Sequence, residues 1–353
     1  MHNYIFALFI VSIMSCSSES RKTSAHMDSN KLNNIIDLTA GFENIQLIKL
    51  SKIADNVTFI PFETKPASLQ GQGQNSLISF SPNYIFYYNM AYDWEGNYFG
   101  TIVKRGQGRF EEAEGGTIIL NNGLFYSKGS KFIEYDITGK PTGKVRNLYA
   151  TREFGTSDFL RRGSSFTSVG ANFVVYDFPT TLYYFDRNFE TIASRVVYVP
   201  YSLPTRIASI GEGKYISFYK ENVLFYSFFN ETIFYVTDTS LEPQWIVNFD
   251  EQLRLPKQVM LNSFYLLRGA LSGRIESSEL VQLTDHKHKI IACYETDKYM
   301  FFNMTEIIQL AEVRGKTPPD PYIIYYDKAT GKTTRVKGKG FEDDILGFPV
   351  LAI

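Results

Sequence analysis

His286 and His288, with Asp285 adjacent, are the residues of this chain whose spacing comes nearest to a metal site. On a strand, positions i and i+2 share a face, so both imidazoles could turn toward one ion. No third ligand is evident, and His26 is remote in sequence. A solvated polar loop is the plainer account of the pair, and no metal or other cofactor is expected. Gly106-Gln107-Gly108 begins like a phosphate-cradling loop but has Glu111 where a third glycine belongs, and no Lys-Ser/Thr follows. A carboxylate there repels phosphate, which argues against a nucleotide. No Gly-x-Ser-x-Gly elbow occurs, so the usual hydrolase nucleophile is missing. Cys293, within Ile290-Ile291-Ala292-Cys293-Tyr294, reads as a small buried hydrophobe. Lys104-Arg105 and Arg161-Arg162 are candidates for a channel mouth, or else solvated loop charge, and Trp94 could stack on a sugar ring. No catalytic residue is therefore named.

The elements that must carry these residues repeat. Apolar, Tyr/Phe-rich runs end in an acidic turn at Tyr92-Asp93, Tyr135-Asp136, Phe185-Asp186, Thr237-Asp238 and Tyr326-Asp327, and then restart. The Asp positions are 43, 50, 52 and 89 residues apart. Asp suits the first position of a type I turn, and glycine after it, as in Asp136-Ile137-Thr138-Gly139, supplies positive φ. Further strand-like runs precede the turns, at Tyr84 to Tyr87, Phe173 to Tyr176, Tyr215 to Phe218 and Tyr299 to Phe302. A meander with this period predicts an all-β chain folded as a β-propeller. The period favours six blades over residues 41–353, closed by pairing the N-terminal part (Ile45 to Phe80) with the C-terminus (Phe341 to Ile353). The long gap carries Pro256 and then Met260, Phe264, Leu267 and Leu271 on one helical face, which predicts a short helical insert near 256–271.

Composition agrees with this architecture and narrows the partners. Aromatic residues make up 16% of the chain, which suits half-buried strands. A net charge of −1, without a basic cluster, argues against nucleic acid. Tyr4 to Met14 form an uncharged apolar run, too short to span a bilayer, ending at Ser15-Cys16. The run and its Cys resemble the lipobox of bacterial lipoproteins, although Met1-His2-Asn3 lacks the usual positive charge. The resemblance implies cleavage after residue 15 and acylation of Cys16; the alternative is an ordinary secretory peptide with an incidental Cys. Residues 16–40 read as a polar tether reaching about 25 Å.

Three stretches resemble the six-bladed β-propeller lipoproteins of Gram-negative cell envelopes, a mostly uncharacterised family. They are Ile53-Ala54-Asp55 leading to Phe59-Ile60-Pro61-Phe62-Glu63-Thr64; Asn230-Glu231-Thr232-Ile233-Phe234 with Glu242-Pro243-Gln244-Trp245; and Gly106-Gln107-Gly108-Arg109-Phe110-Glu111, where Arg109 and Phe110 replace the family's Pro-Gly. The resemblance spans residues 45 to 353, implies an outer-membrane lipoprotein facing the periplasm or the surface, and lends no catalytic residues. The expected function is a non-catalytic binding or scaffold module, monomeric, for a glycan or an envelope protein. The alternatives are a carbohydrate- or lactone-active enzyme with a site at the channel mouth, and a component of a transport or assembly complex.

Overall fold

The computed structural model describes residues 34–54, 60–63, 65, 78–80, 83–87, 89–112, 117–128, 131–147, 166–177, 181–197, 216–220, 222–227, 230–256, 286–306, 321–338, 340–342 and 344. Four small elements come first: β1 (Ile35–Asp37), α1 (Thr39–Glu43), β2 (Ile45–Gln46) and α2 (Leu50–Ile53). Five antiparallel meanders follow. The first is β3 (Ile78–Phe80), β4 (Ile85–Tyr87), β5 (Met90–Tyr92) and β6 (Tyr98–Thr101), after which β7 (Lys104–Arg105) pairs with β8 (Glu111–Glu112). The second is β9 (Thr117–Asn121), β10 (Leu124–Lys128), β11 (Lys131–Tyr135) and β12 (Pro141–Asn147). The third is β13 (Phe166–Val169), β14 (Asn172–Asp177), β15 (Thr181–Phe185) and β16 (Thr191–Val196). The fourth is β17 (Ile216–Tyr219), β18 (Asn222–Tyr226), β19 (Thr232–Val236) and β20 (Leu241–Asn248). The fifth is β21 (His288–Glu295), β22 (Tyr299–Glu306), β23 (Tyr322–Asp327) and β24 (Lys332–Val336).

The arrangement is that of a β-propeller. First strands meet at the centre, where β9 packs against both β3 and β13, and β17 against β21. Neighbouring sheets bury aromatic-rich cores between their faces: Phe86, Phe125 and Tyr135 between the first and second, Tyr126, Phe132, Phe173 and Phe189 between the second and third. Tyr176, Tyr184 and Phe225 fill the space between the third and fourth, and Leu224, Met300 and Phe302 that between the fourth and fifth.

All five acidic turns join the third strand of a sheet to its fourth. Asp93, Asp136 and Asp186 each accept, through Oδ1, the backbone N–H groups of residues i+2 and i+4. The sequence lacks glycine in the third turn because Phe189 takes its place, at φ 62° and fully buried. Its ring stacks on Phe132 at 5.0 Å, and this packing holds a bulky residue in a conformation it otherwise avoids. In the fourth turn Thr237, not Asp238, makes the cap, accepting the Ser240 N–H at 3.2 Å.

The described residues form five antiparallel four-stranded meanders, two of them extended by a parallel fifth strand, and not the expected six blades. Those parts of the segments expected to build a sixth that lie among the described residues are used otherwise. Ile78–Phe80 opens the first sheet, and β2 adds in parallel to the outer edge of β24. β1 likewise pairs in parallel with β20, although it lies inside the stretch read as tether. An unpaired edge strand is a template for any passing strand, and the N-terminal segment covers two of them. The two termini do meet: Lys49 pairs with Glu342, and Ser51 donates to Asp344. Phe62 stacks on Tyr92 of the first sheet at 4.4 Å, and the Pro61 carbonyl lies so close to Gly96 that a Cβ there would sit 2.1 Å from its oxygen. The N-terminal segment thus runs over the fourth, fifth and first sheets. Of the helical insert, only Pro256 is among the described residues; Met260, Phe264, Leu267 and Leu271 lie outside them.

Candidate functional site

The two histidines part company. His288 opens β21 and is buried, its Nδ1 hydrogen-bonded to the Tyr322 hydroxyl at 2.9 Å and its ring lying 4.8 Å from Phe42. Burial pushes its pKa down to about 4, so it is a neutral core residue at physiological pH. His286 is exposed, at φ 52°, and its Nδ1 is 2.7 Å from Glu306. The polar-loop account therefore fits His286 and fails for His288, whose place under α1 depends on a helix the sequence did not announce. Among the described residues, no group of three His, Cys, Asp or Glu side chains could hold a metal ion.

The glycine loop is filled from within. Glu111 Oε2 accepts the Gly108 N–H at 2.9 Å, and a Cβ on Gly106 would lie 2.0 Å from that oxygen. Lys131 donates to the carbonyls of Gly108 and Glu111. The carboxylate that argued against phosphate occupies the place an anion would take. Backbone pairing sets Lys104 and Arg105 opposite Glu111 and Glu112. Cys293 is buried and free, with its thiol pKa pushed up by burial. Trp94 is exposed at the tip of the first acidic turn. Cys16, Arg161 and Arg162 lie outside the described residues.

Two polar clusters escaped the sequence reading. Between the fourth and fifth sheets, Lys328 donates to Glu295 at 2.6 Å and to the Thr296 carbonyl at 2.7 Å. Its ammonium lies 4.8 Å from the Tyr219 ring and 5.7 Å from that of Trp245. Tyr235 donates to the other oxygen of Glu295, and burial, reinforced by that carboxylate, raises the phenol pKa. Nearby, Tyr219 and Lys220 both bind Asp297. Between the second and third sheets, Lys144 joins Glu134 to the Arg187 carbonyl. Burial raises the Glu134 carboxyl pKa, but its bonds to Thr142 and Lys144 outweigh this and hold it low. Tyr126 is pushed up to about 12 by burial and by Glu134. A Lys and a Glu beside a Tyr whose pKa is raised resemble a proton relay in composition. Both lysines are closed onto neighbouring backbone, so the geometry is that of joints between sheets.

A cavity of about 490 Å³ lies on the far face of the fifth sheet. Tyr294, Phe301, Asn303 and Ile323 form its floor, Leu50, Ile53 and Ala54 of the α2 segment one wall, and the Thr296–Lys298 turn its rim. The Asn303 Oδ1 is buried there with no hydrogen-bond partner. No helix among the described residues is long and apolar enough to cross a membrane.

Comparison with known proteins bears on the fold. A crystal structure of a Bacteroides fragilis protein described as exported aligns with a TM-score of 0.54 at 17% identity, covering 85% of this chain and 79% of that one. BamB from Moraxella catarrhalis (TM-score 0.33, 14% identity, 72% of this chain and 62% of that one) and the Pan2 WD40 domain of Neurospora crassa (0.37, 12%, 73% and 64%) align more weakly. This chain spans less than two thirds of the length of those two. Likeness at such identity shows the fold alone. No curated protein matches the sequence. One family model, described as a domain of unknown function (DUF4934), matches residues 33–352, and the chain belongs to that family.

Proposed function

We propose that this chain is a non-catalytic binding or scaffold module of the cell envelope, anchored by lipid on Cys16 and presented on the polar segment after it. Its partner is a glycan or an envelope protein. One observation carries the reading: the two ends of the sheets are used differently. At the end bearing the acidic turns, polar side chains are spent on joints between sheets: Lys144, Arg146, Tyr219 and Lys220 through hydrogen bonds or ion pairs, and Lys328 through its ammonium over the Tyr219 and Trp245 rings. The ion pairs described at the other end are Arg254–Glu231, which ties the segment leading from the fourth sheet to the fifth back onto the fourth, and His286–Glu306 on the fifth. That end, where consecutive sheets are connected, is left for recognition, as befits loops on a rigid scaffold. The lipobox-like N-terminus supports the envelope address, and the structural neighbour described as exported agrees with it.

Photocrosslinking of the full chain in the envelope tests the reading. A reactive residue at His286 or Lys337 should give specific adducts, whereas one at Asn188 or Ala329 should not. Adducts confined to the acidic-turn end, or none from either end together with no retention on a glycan array, would overturn it. Mass spectrometry of the mature N-terminus tests the anchor: an unmodified Cys16 would remove the membrane half of the proposal.

A further inference from the structure

Along β22 the side chains alternate between the two faces of the fifth sheet. Met300, Phe302 and Met304 pack toward the fourth sheet, whereas Tyr299, Phe301 and Asn303 line the cavity on the other face. Asparagine is depleted in strands, and here it stands within β22 in an otherwise aromatic row. Its cross-strand neighbours are Ala292 and Ile323, and neither side chain has a donor to offer. We propose that the cavity binds an uncharged, mostly apolar small molecule with a single O–H or N–H group, which it holds by donation to Asn303 Oδ1.

The lining sets this class. Tyr294, Phe301 and Ile323 on the floor and Leu50, Ile53 and Ala54 on the wall make an apolar chamber. Its volume of about 490 Å³ falls within the roughly 300–1,000 Å³ of small-molecule pockets. Polar groups at the rim are committed elsewhere. Asp297 is held by Tyr219 and Lys220, Thr296 Oγ1 accepts the Tyr299 N–H, and the Tyr299 hydroxyl donates to the Lys52 carbonyl. Among the described lining residues, Asn303 Oδ1 is the buried polar side-chain atom left without a hydrogen bond. A buried acceptor in that condition is costly, and a ligand that brings one donor recovers the cost.

The same inventory disfavours other occupants. A sugar would carry several hydroxyls into a chamber with one acceptor to meet them. A fatty acid would present hydrocarbon or a carboxylate to Asn303, and neither donates. A buried water needs about two to four polar partners and would find one. The site also stands apart from the loops proposed for the envelope partner. The Lys298 carbonyl at its rim accepts the Lys328 N–H at 3.0 Å, which places the rim beside the fifth acidic turn. Neither proposal depends on the other.

The test is calorimetric titration of the purified full chain with β-naphthol, which has one hydroxyl donor, and with its methyl ether, which has nearly the same shape and none. Saturable one-to-one binding of β-naphthol is expected, about tenfold tighter than that of the ether. Asn303→Leu, close in volume, should weaken β-naphthol until the two probes bind alike. Ala54→Trp, which fills the wall, should abolish binding of both while the chain still unfolds cooperatively on heating; if that variant does not fold, Asn303→Leu decides alone. No saturable binding to the unaltered chain, equal affinity for the two probes, or a preference that survives Asn303→Leu would overturn the proposal. Unchanged binding in folded Ala54→Trp would do the same, as would tighter binding of laurate or methyl glucoside that this variant loses.

Discussion

Phe189 shows how far packing overrides local preference. It stands where two other acidic turns carry glycine at positive φ, and its ring lies among Phe132, Phe173 and Tyr126. Phe189→Gly relieves about 1–2 kcal/mol of left-handed strain but forfeits about 3–5 kcal/mol of buried aromatic packing. The variant should therefore be less stable by about 2–3 kcal/mol in urea unfolding; a gain in stability would mean that the strain dominates. His288 makes the pH-dependent counterpart. Burial depresses its pKa to about 4 from the ordinary 6.5, so the unfolded chain binds the extra proton first. Its contribution is complete above pH 6.5 and declines as pH falls toward 4. His288→Gln should flatten the dependence of Tm on pH across that window, and an unchanged slope would assign it to other groups. The carboxyls of Asp93 and Asp136 are held below the ordinary 3.8, mainly through hydrogen bonds from Asn97 and Thr138 respectively. Their stabilisation is present above that value and is lost under stronger acid, so Asp93→Asn with Asp136→Asn should blunt only the acid limb.

At the scale of elements, the strands were legible because their signals are local. An Asp that caps its own turn needs only residues two to four positions away, and alternating aromatics mark the strands before it. The exceptions had no such mark. Thr237 in place of Asp238, and Phe189 in place of glycine, are settled by the neighbouring sheet. The joint around Lys328 draws on Tyr219, Tyr235, Trp245 and Glu295, residues from four different strands, and no spacing rule links them. It is also where a mutation should show strongest coupling. Lys328→Met strands Glu295, whose side chain is only 2% exposed, and should cost about 3 kcal/mol or more. Adding Glu295→Gln should return a large part of that. If the two substitutions are simply additive in chemical denaturation, the pair is not a joint.

For the whole molecule, the period of the acidic turns made the propeller architecture legible, but the described residues form five blades where it led to an expectation of six. The period counts acidic turns, and the last gap of 89 residues and the terminal segments fall outside it. Parallel pairings such as β1 with β20 and β2 with β24 join residues some 200 to 300 positions apart and leave no trace in a local pattern. Removing residues 1–50 should uncover both outer edges, and light scattering should then detect self-association that the full chain does not show. A strictly monomeric truncated chain would mean that the edges are protected in some other way.

The N-terminal segment has a mechanical corollary. Tension applied upstream of Asn34 would be directed along β1, parallel to β20, so the bonds from Ile246 N–H to Asn34 and from Leu38 N–H to Asn248 would be loaded side by side in shear. Any slippage there would next meet the Arg335–Asn44 and Lys337–Gln46 bonds on the fifth sheet. Such a pull would thus be absorbed at the periphery, spread over two sheets, before it could strain the centre.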